Sequence, residues 1–90
     1  MQQEHPENVI VTVRLERLGL EADARLPADT PMGKWLPELT MVLNRYRGTY
    51  LDPRGLAVSH DGRALEPSDT LAGLGAWDGS VLRLEERWQK

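Results

Sequence analysis

The chain has 90 residues, 11 lysines and arginines against 14 aspartates and glutamates, a formal charge of −3 and no cysteine. That length makes one small domain burying roughly 60–65 % of its unfolded surface, with a modest core, no room for a deep cofactor pocket, and no thiol for a disulfide, a thiolate metal site or a nucleophile. The acidic balance argues against nucleic acid, where affinity comes from clustered lysine and arginine releasing counterions.

The opening residues, MQQEHPEN, form a polar stretch without the basic and then apolar regions of a secretory signal. Residues 1–8 are therefore expected to be a disordered leader, ahead of a domain over residues 9–86 and a tail over residues 87–90. No apolar run approaches the ~20 residues that span a bilayer, so a soluble cytoplasmic chain with no membrane span is expected. His5 and His60 stand apart, without the spacing of a metal pair, and no metal or other cofactor is expected.

Val9, Val11, Val13 and Leu15 alternate with Thr12, Arg14 and Glu16, the period of a half-buried strand. Arg17-Leu18-Gly19 offers a turn, and Leu20, Ala22, Ala24 and Leu26 then alternate with Glu21, Asp23 and Arg25, predicting a hairpin partner. The alanines leave space for a close helix, and the outward charges would guard an edge strand. Thr30 as cap and Pro31 as first residue predict a helix start. Met32, Leu36, Leu39 and Leu43 then share one face, and Gly48 supplies the stop. Pro37 removes an N–H and presses on the Gly33 carbonyl, so a kink or a separate first turn is expected there.

Residues 47–55 lack periodicity and form a connector. Leu56 and Val58 resume alternation, His60-Asp61-Gly62-Arg63 is a tight-turn signal, and a short strand follows around Ala64-Leu65. Thr70 to Leu74 makes one helical turn, Asp78-Gly79 reverses the chain, and Leu82 and Leu84 face inward from a last strand. Trp77 is expected to cover the bottom of the core.

Two segments narrow the fold. TLAGLGAWDGSVLRL, residues 70–84, resembles without a gap the run into the last strand of ubiquitin, and LPADTPMGKWLPEL, residues 26–39, places a Leu-Pro, a polar step and a proline-containing helix after the second strand. The implied fold is α+β: a ubiquitin-like β-grasp, with a mixed sheet of four to five strands covered by one helix and the first and last strands parallel in its middle. Together the segments resemble the small ubiquitin-like proteins of the YukD/EsaB kind and the cytosolic N-terminal domain of the membrane protein EccD, both of type VII secretion systems. The resemblance implies an accessory or regulatory interaction module. Its partner would be a cytosolic domain of a membrane secretion component, bringing the module to the inner face of the membrane. It implies no catalytic residue.

The final residues, EERWQK, contain no Gly-Gly, and only glycine permits the close backbone approach that an adenylating enzyme demands of a carrier tail. Conjugation or sulfur carriage is therefore the lesser expectation, beside a regulatory oligomerisation domain; a monomer or weak dimer is expected. Ser59, His60 and Asp61 adjoin on a strand, where neighbours point to opposite faces, and so make no triad. At the positions of ubiquitin's apolar patch stand Leu18, Ala57 and Glu85, of which only Leu18 is strongly apolar. Trp35, Val42 and Tyr46 form a helix stripe that either packs at the border of helix and sheet or anchors a partner. Arg45, Arg47 and Arg54, interleaved with Tyr46 and Tyr50, make a basic cluster that is either a solvated loop or a dock for an acidic surface. Trp88 in the tail either binds or packs back.

Overall fold

The alternating apolar segments form strands in the computed structural model, which describes residues 7–87. The strands are β1 (Asn8–Leu15), β2 (Leu20–Pro27), β3 (Leu56–His60), β4 (Arg63–Ala64) and β5 (Val81–Glu86). The helices are α1 (Met32–Arg47) and the single turn α2 (Leu71–Leu74), and short 3-10 turns lie at Glu16–Leu18 and Pro53–Gly55. The sheet order is β2-β1-β5-β3-β4, with β1 and β5 parallel in the centre and the other pairs antiparallel. Val9, Val11, Val13 and Leu15 of β1 and Leu82 and Leu84 of β5 turn inward and meet Leu36, Leu39 and Leu43 of α1 in one core. Strand β1 starts inside the expected leader, because Asn8 pairs with Pro27 and the Glu7 carbonyl accepts from the Ala28 N–H at 2.9 Å.

The helix start differs from expectation. Pro31, not Thr30, occupies the cap position, and no side chain caps α1. Its free first-turn amides are met from another part of the chain: Met32 N–H donates to the Asp69 carbonyl at 2.8 Å and Gly33 N–H to the Pro67 carbonyl at 2.9 Å. Backbone carbonyls can satisfy these orphan donors as well as a capping hydroxyl. The loop that supplies them is itself shaped by Asp69, whose carboxylate accepts from Glu66 N–H at 2.7 Å. Thr70 then caps α2 through Gly73 N–H at 3.0 Å.

No separate first turn forms at Pro37; α1 runs through it as one helix. Gly33 also has a tertiary role. A Cβ at Gly33 would lie 3.3 Å from both the Cβ and the carbonyl oxygen of Pro67, so glycine permits the close approach of loop and helix. The β3–β4 turn has positive φ at both central residues, 53° at Asp61 and 78° at Gly62, the twist a two-residue hairpin requires.

Trp77 does not cover the core. It is 65 % exposed, while its neighbour Ala76 turns inward. The reason is the turn that follows: Asp78 accepts from Ile10 N–H at 2.9 Å, Gly79 N–H donates to Ile10 at 2.9 Å, and Thr12 N–H donates to Ser80 at 2.8 Å. These bonds align residues 78–80 with β1 and leave the Trp77 indole outside. Gly33→Ala, which in an exposed helix would stabilise by about 1 kcal/mol, is expected to destabilise here, because the Pro67 loop is tied down by two hydrogen bonds; urea unfolding of the two proteins compares the signs.

Candidate functional site

The open face of the sheet is occupied by charge. Arg14 reaches Glu21 at 2.7 Å, Arg83 reaches Glu16 at 3.2 Å, and Thr12 donates to Asp23 at 3.1 Å; at the hairpin end Arg17 reaches Glu86, on the helix side of β5, at 2.9 Å. Ala57 lies directly across from Glu85, so the positions corresponding to ubiquitin's apolar patch offer a methyl group beside a carboxylate. Exposed ion pairs of this kind are worth about 0–1 kcal/mol each. Two of them nevertheless have a geometric consequence, because they join the β1–β2 turn to β5 and hold Leu18 at a defined place.

Ile10 is exposed on that face, but other exposed apolar side chains lie elsewhere. Leu18 is 50 % exposed and Tyr50 94 % exposed. Both line a concavity at the hairpin end of the molecule, together with Arg47, Thr49 and Glu86. The loop carrying Tyr50 is held by Asn44 of α1, whose side-chain carbonyl accepts from Thr49 Oγ1 at 2.7 Å and Leu51 N–H at 2.8 Å while its amide donates to the Leu51 carbonyl at 3.0 Å. Asn44 escaped the sequence reading. Its signal is a poor helix former beside the buried Leu43, which in a helix implies a local hydrogen-bonding task.

A second concavity, of about 420 Å³, runs between β2 and α1 and is lined by Ala22, Ala24, Trp35, Val42, Tyr46 and Arg47, among others. It divides the predicted stripe. Val42 and Tyr46 are exposed, but Trp35 is only 2 % exposed and belongs to the core, so it is not available as an anchor at the surface. Its indole Nε1 has no hydrogen-bond partner. Packing wins for Trp35 because a core this small recruits the nearest large apolar surface, even with an N–H left over.

The basic cluster is also divided. Arg54 is held by Asp52, with Nε at 3.2 Å from one carboxylate oxygen and a terminal nitrogen at 3.1 Å from the other. That side-chain pairing, aided by the Arg54 backbone N–H, holds the Asp52 carboxyl below its usual range, and the carboxylate in turn raises Arg54. Arg45 lies beside Pro37, Met41 and Pro53, away from Arg47, which lines both concavities. Among the described residues neither Arg45 nor Arg47 has an ion-pair partner. Trp88 lies outside the described residues. Among those residues no group of three or more histidine, aspartate or glutamate side chains could hold a metal ion, and no helix is long and apolar enough to cross a membrane.

A central parallel pair, two antiparallel wings and one helix across the sheet define a ubiquitin-like β-grasp protein. Solved structures agree. The chain is similar to a designed protein based on ubiquitin (23 % identity, TM-score 0.73, covering 96 % of each chain). It is similar to the ubiquitin of Caldiarchaeum subterraneum (22 %, 0.68, covering 91 % of this chain and 96 % of that one). It is also similar to the ubiquitin-like domain of the Mycobacterium tuberculosis type VII secretion system protein EccD1 (24 %, 0.71, covering 88 % of this chain and 98 % of that one). Residues 8–84 match the family described as WXG100 protein secretion system, protein YukD; the chain belongs to that family. Among curated proteins none matches.

Trp35→Ala is expected to cost about 3–5 kcal/mol in urea unfolding. Trp35→Phe should cost markedly less, because it removes an N–H whose unpartnered burial costs about 1–3 kcal/mol. The Asp52–Arg54 pair contributes to stability fully above about pH 4, and this contribution is lost as the pH falls through the lowered Asp52 value. Melting curves of the wild type and Asp52→Asn should therefore converge in acid and separate slightly at neutral pH.

Proposed function

We propose that this protein is a ubiquitin-like protein–protein interaction module, an accessory or regulatory component of a type VII secretion system. It acts by non-covalent binding to a cytosolic domain of a membrane component, in the cytoplasm at the inner face of the membrane. Family membership supports the secretion setting. The observation that carries the binding reading is the concavity at the hairpin end, where Leu18 and Tyr50 flank Arg47, which has no ion-pair partner among the described residues.

Such a combination suits a protein partner. Aromatic and arginine side chains dominate binding energy when a partner desolvates them. The segments that carry them are tied down in the free protein, around Leu18 by the ion pairs of its neighbours Arg17 and Glu16 and around Tyr50 by the Asn44 bonds to Thr49 and Leu51, which lowers the backbone ordering cost of association. On the sheet face, by contrast, Arg14, Glu21, Arg83 and Glu16 are already engaged with one another. The partner is therefore expected to offer an apolar patch beside a carboxylate.

The test is a capture from source cells with intact membranes, comparing the wild type with a Leu18→Arg/Tyr50→Ala variant checked for its fold by circular dichroism. Secretion-machine membrane components should be retained by the wild type. The variant should weaken that binding about thirtyfold, the effect of losing a hot spot of about 2 kcal/mol. Recovery of an adenylating enzyme, or of a covalent adduct to the chain, would replace this reading with that of a carrier.

A further inference from the structure

The two edges of the sheet are unequal. Strand β4 has two residues, whereas β2 has eight, so among the described residues β2 is the edge long enough to accept another strand. The direction of its free backbone groups follows from β1. Ile10 and Thr12 direct their backbone groups toward residues 78–80, so by alternation Val9, Val11, Val13 and Leu15 bond toward β2. Their partners Leu26, Ala24, Ala22 and Leu20 bond back. Glu21, Asp23 and Arg25 are left pointing theirs over the free edge.

Edges of this kind are commonly blocked by proline, bulges or charge. The β1–β2 register has no bulge, and the proline of β2 stands at its last position. The charges do not block a second copy; they match it. Antiparallel pairing of β2 with itself, with Ala24 on the twofold axis, places Asp23 opposite the partner's Arg25 and Arg25 opposite the partner's Asp23. Both are edge-facing residues, so each pair is a hydrogen-bonded one with opposite charges across the strands. Arg25 has no ion-pair partner among the described residues, and Asp23 holds only the Thr12 hydroxyl. The register centred on Asp23 would oppose that carboxylate to itself, and Glu21 is already held by Arg14.

The other face of β2 agrees. Ala22 and Ala24 leave the concavity against α1 that exposes Val42 and Tyr46. In the same register Ala22 lies opposite the partner's Leu26, which supplies apolar bulk beside that gap. We propose that β2 pairs antiparallel with β2 of a second copy of this chain, with Asp23 set against Arg25 about a twofold axis at Ala24. The result is one sheet continuous through both copies. This surface is separate from Leu18 and Tyr50, so the dimer stands or falls independently of the partner bound there.

The test is sedimentation of the full chain from micromolar to millimolar concentration, with Asp23→Arg, Arg25→Asp and the double swap D23R/R25D, each checked for its fold. The wild type should dimerise. Each single change, which opposes like charges at two symmetric positions, should weaken the dimer about tenfold or more, and the double swap should return it to within about threefold of the wild type. Amide exchange at Asp23 and Arg25 should slow as concentration rises. A wild type monomeric throughout, a dimer indifferent to the single changes, a folded swap that fails to restore it, or protection of these amides only by a foreign strand would each overturn the proposal.

Discussion

The parallel contact between β1 and β5 is the constraint from which the rest follows. Thr12, Val13 and Arg14 align with Val81, Leu82 and Arg83, so strands from opposite ends of the domain lie side by side. A parallel pair needs a crossover rather than a tight turn, and the chain between the two strands carries α1 over the face that β1 and β5 make apolar. Strands β2 and β4 are then left at the edges. The contact is extended beyond the strands by Asp78, whose carboxylate takes the Ile10 amide, and the outward position of Trp77 is a by-product of that turn.

The second dependency is reciprocal. Helix α1 begins at a proline and has no capping side chain, so its first turn relies on carbonyls of the loop between β4 and α2. That loop relies on the absence of a side chain at Gly33 to come close enough, and on Asp69 and Thr70 to hold its shape. Further along, α2 is tied to the segment leaving β2, since Ala72 N–H donates to the Ala28 carbonyl at 2.9 Å. Stability in this part of the fold therefore belongs to contacts between distant segments and little to helix propensity, as is usual for short helices.

The same arrangement divides the surface. Alternation on β1, β2 and β5 sends alternate residues to the open face, where Arg14 pairs with Glu21 and Arg83 with Glu16 while Arg25 has no ion-pair partner among the described residues. The helix side carries Arg45 and Arg47, which have no ion-pair partner among the described residues, and the exposed aromatics Tyr46 and Tyr50. Ubiquitin-like modules are thus not bound to one recognition face by their fold. Placement of apolar side chains decides it, and here Leu18 and Tyr50 lie at the hairpin end and Val42 and Tyr46 along the β2–α1 seam.

The local periodicities determined the elements: the 2-residue alternation from Val9, the helical spacing from Met32 to Leu43 and the turn at Asp61-Gly62 each mark a structure that depends on near neighbours alone. With the segments resembling ubiquitin they also determined the fold class and the family. The core face of α1 was legible for the same reason, since it needs only the helical period. What lies inside or outside at a border was not. Trp35, Val42 and Tyr46 share one stripe, yet only Trp35 is buried, because the depth of each position depends on how far β2 with its small alanines extends beneath the helix. Arg54 belongs to a basic cluster in the sequence, and it is the 3-10 turn that sets Asp52 against it. The partners of the first amides of α1 could not be read from the residues beside them, since donors and acceptors lie more than thirty residues apart; tertiary structure alone joins such groups, and with them it decided which surfaces remain for a partner.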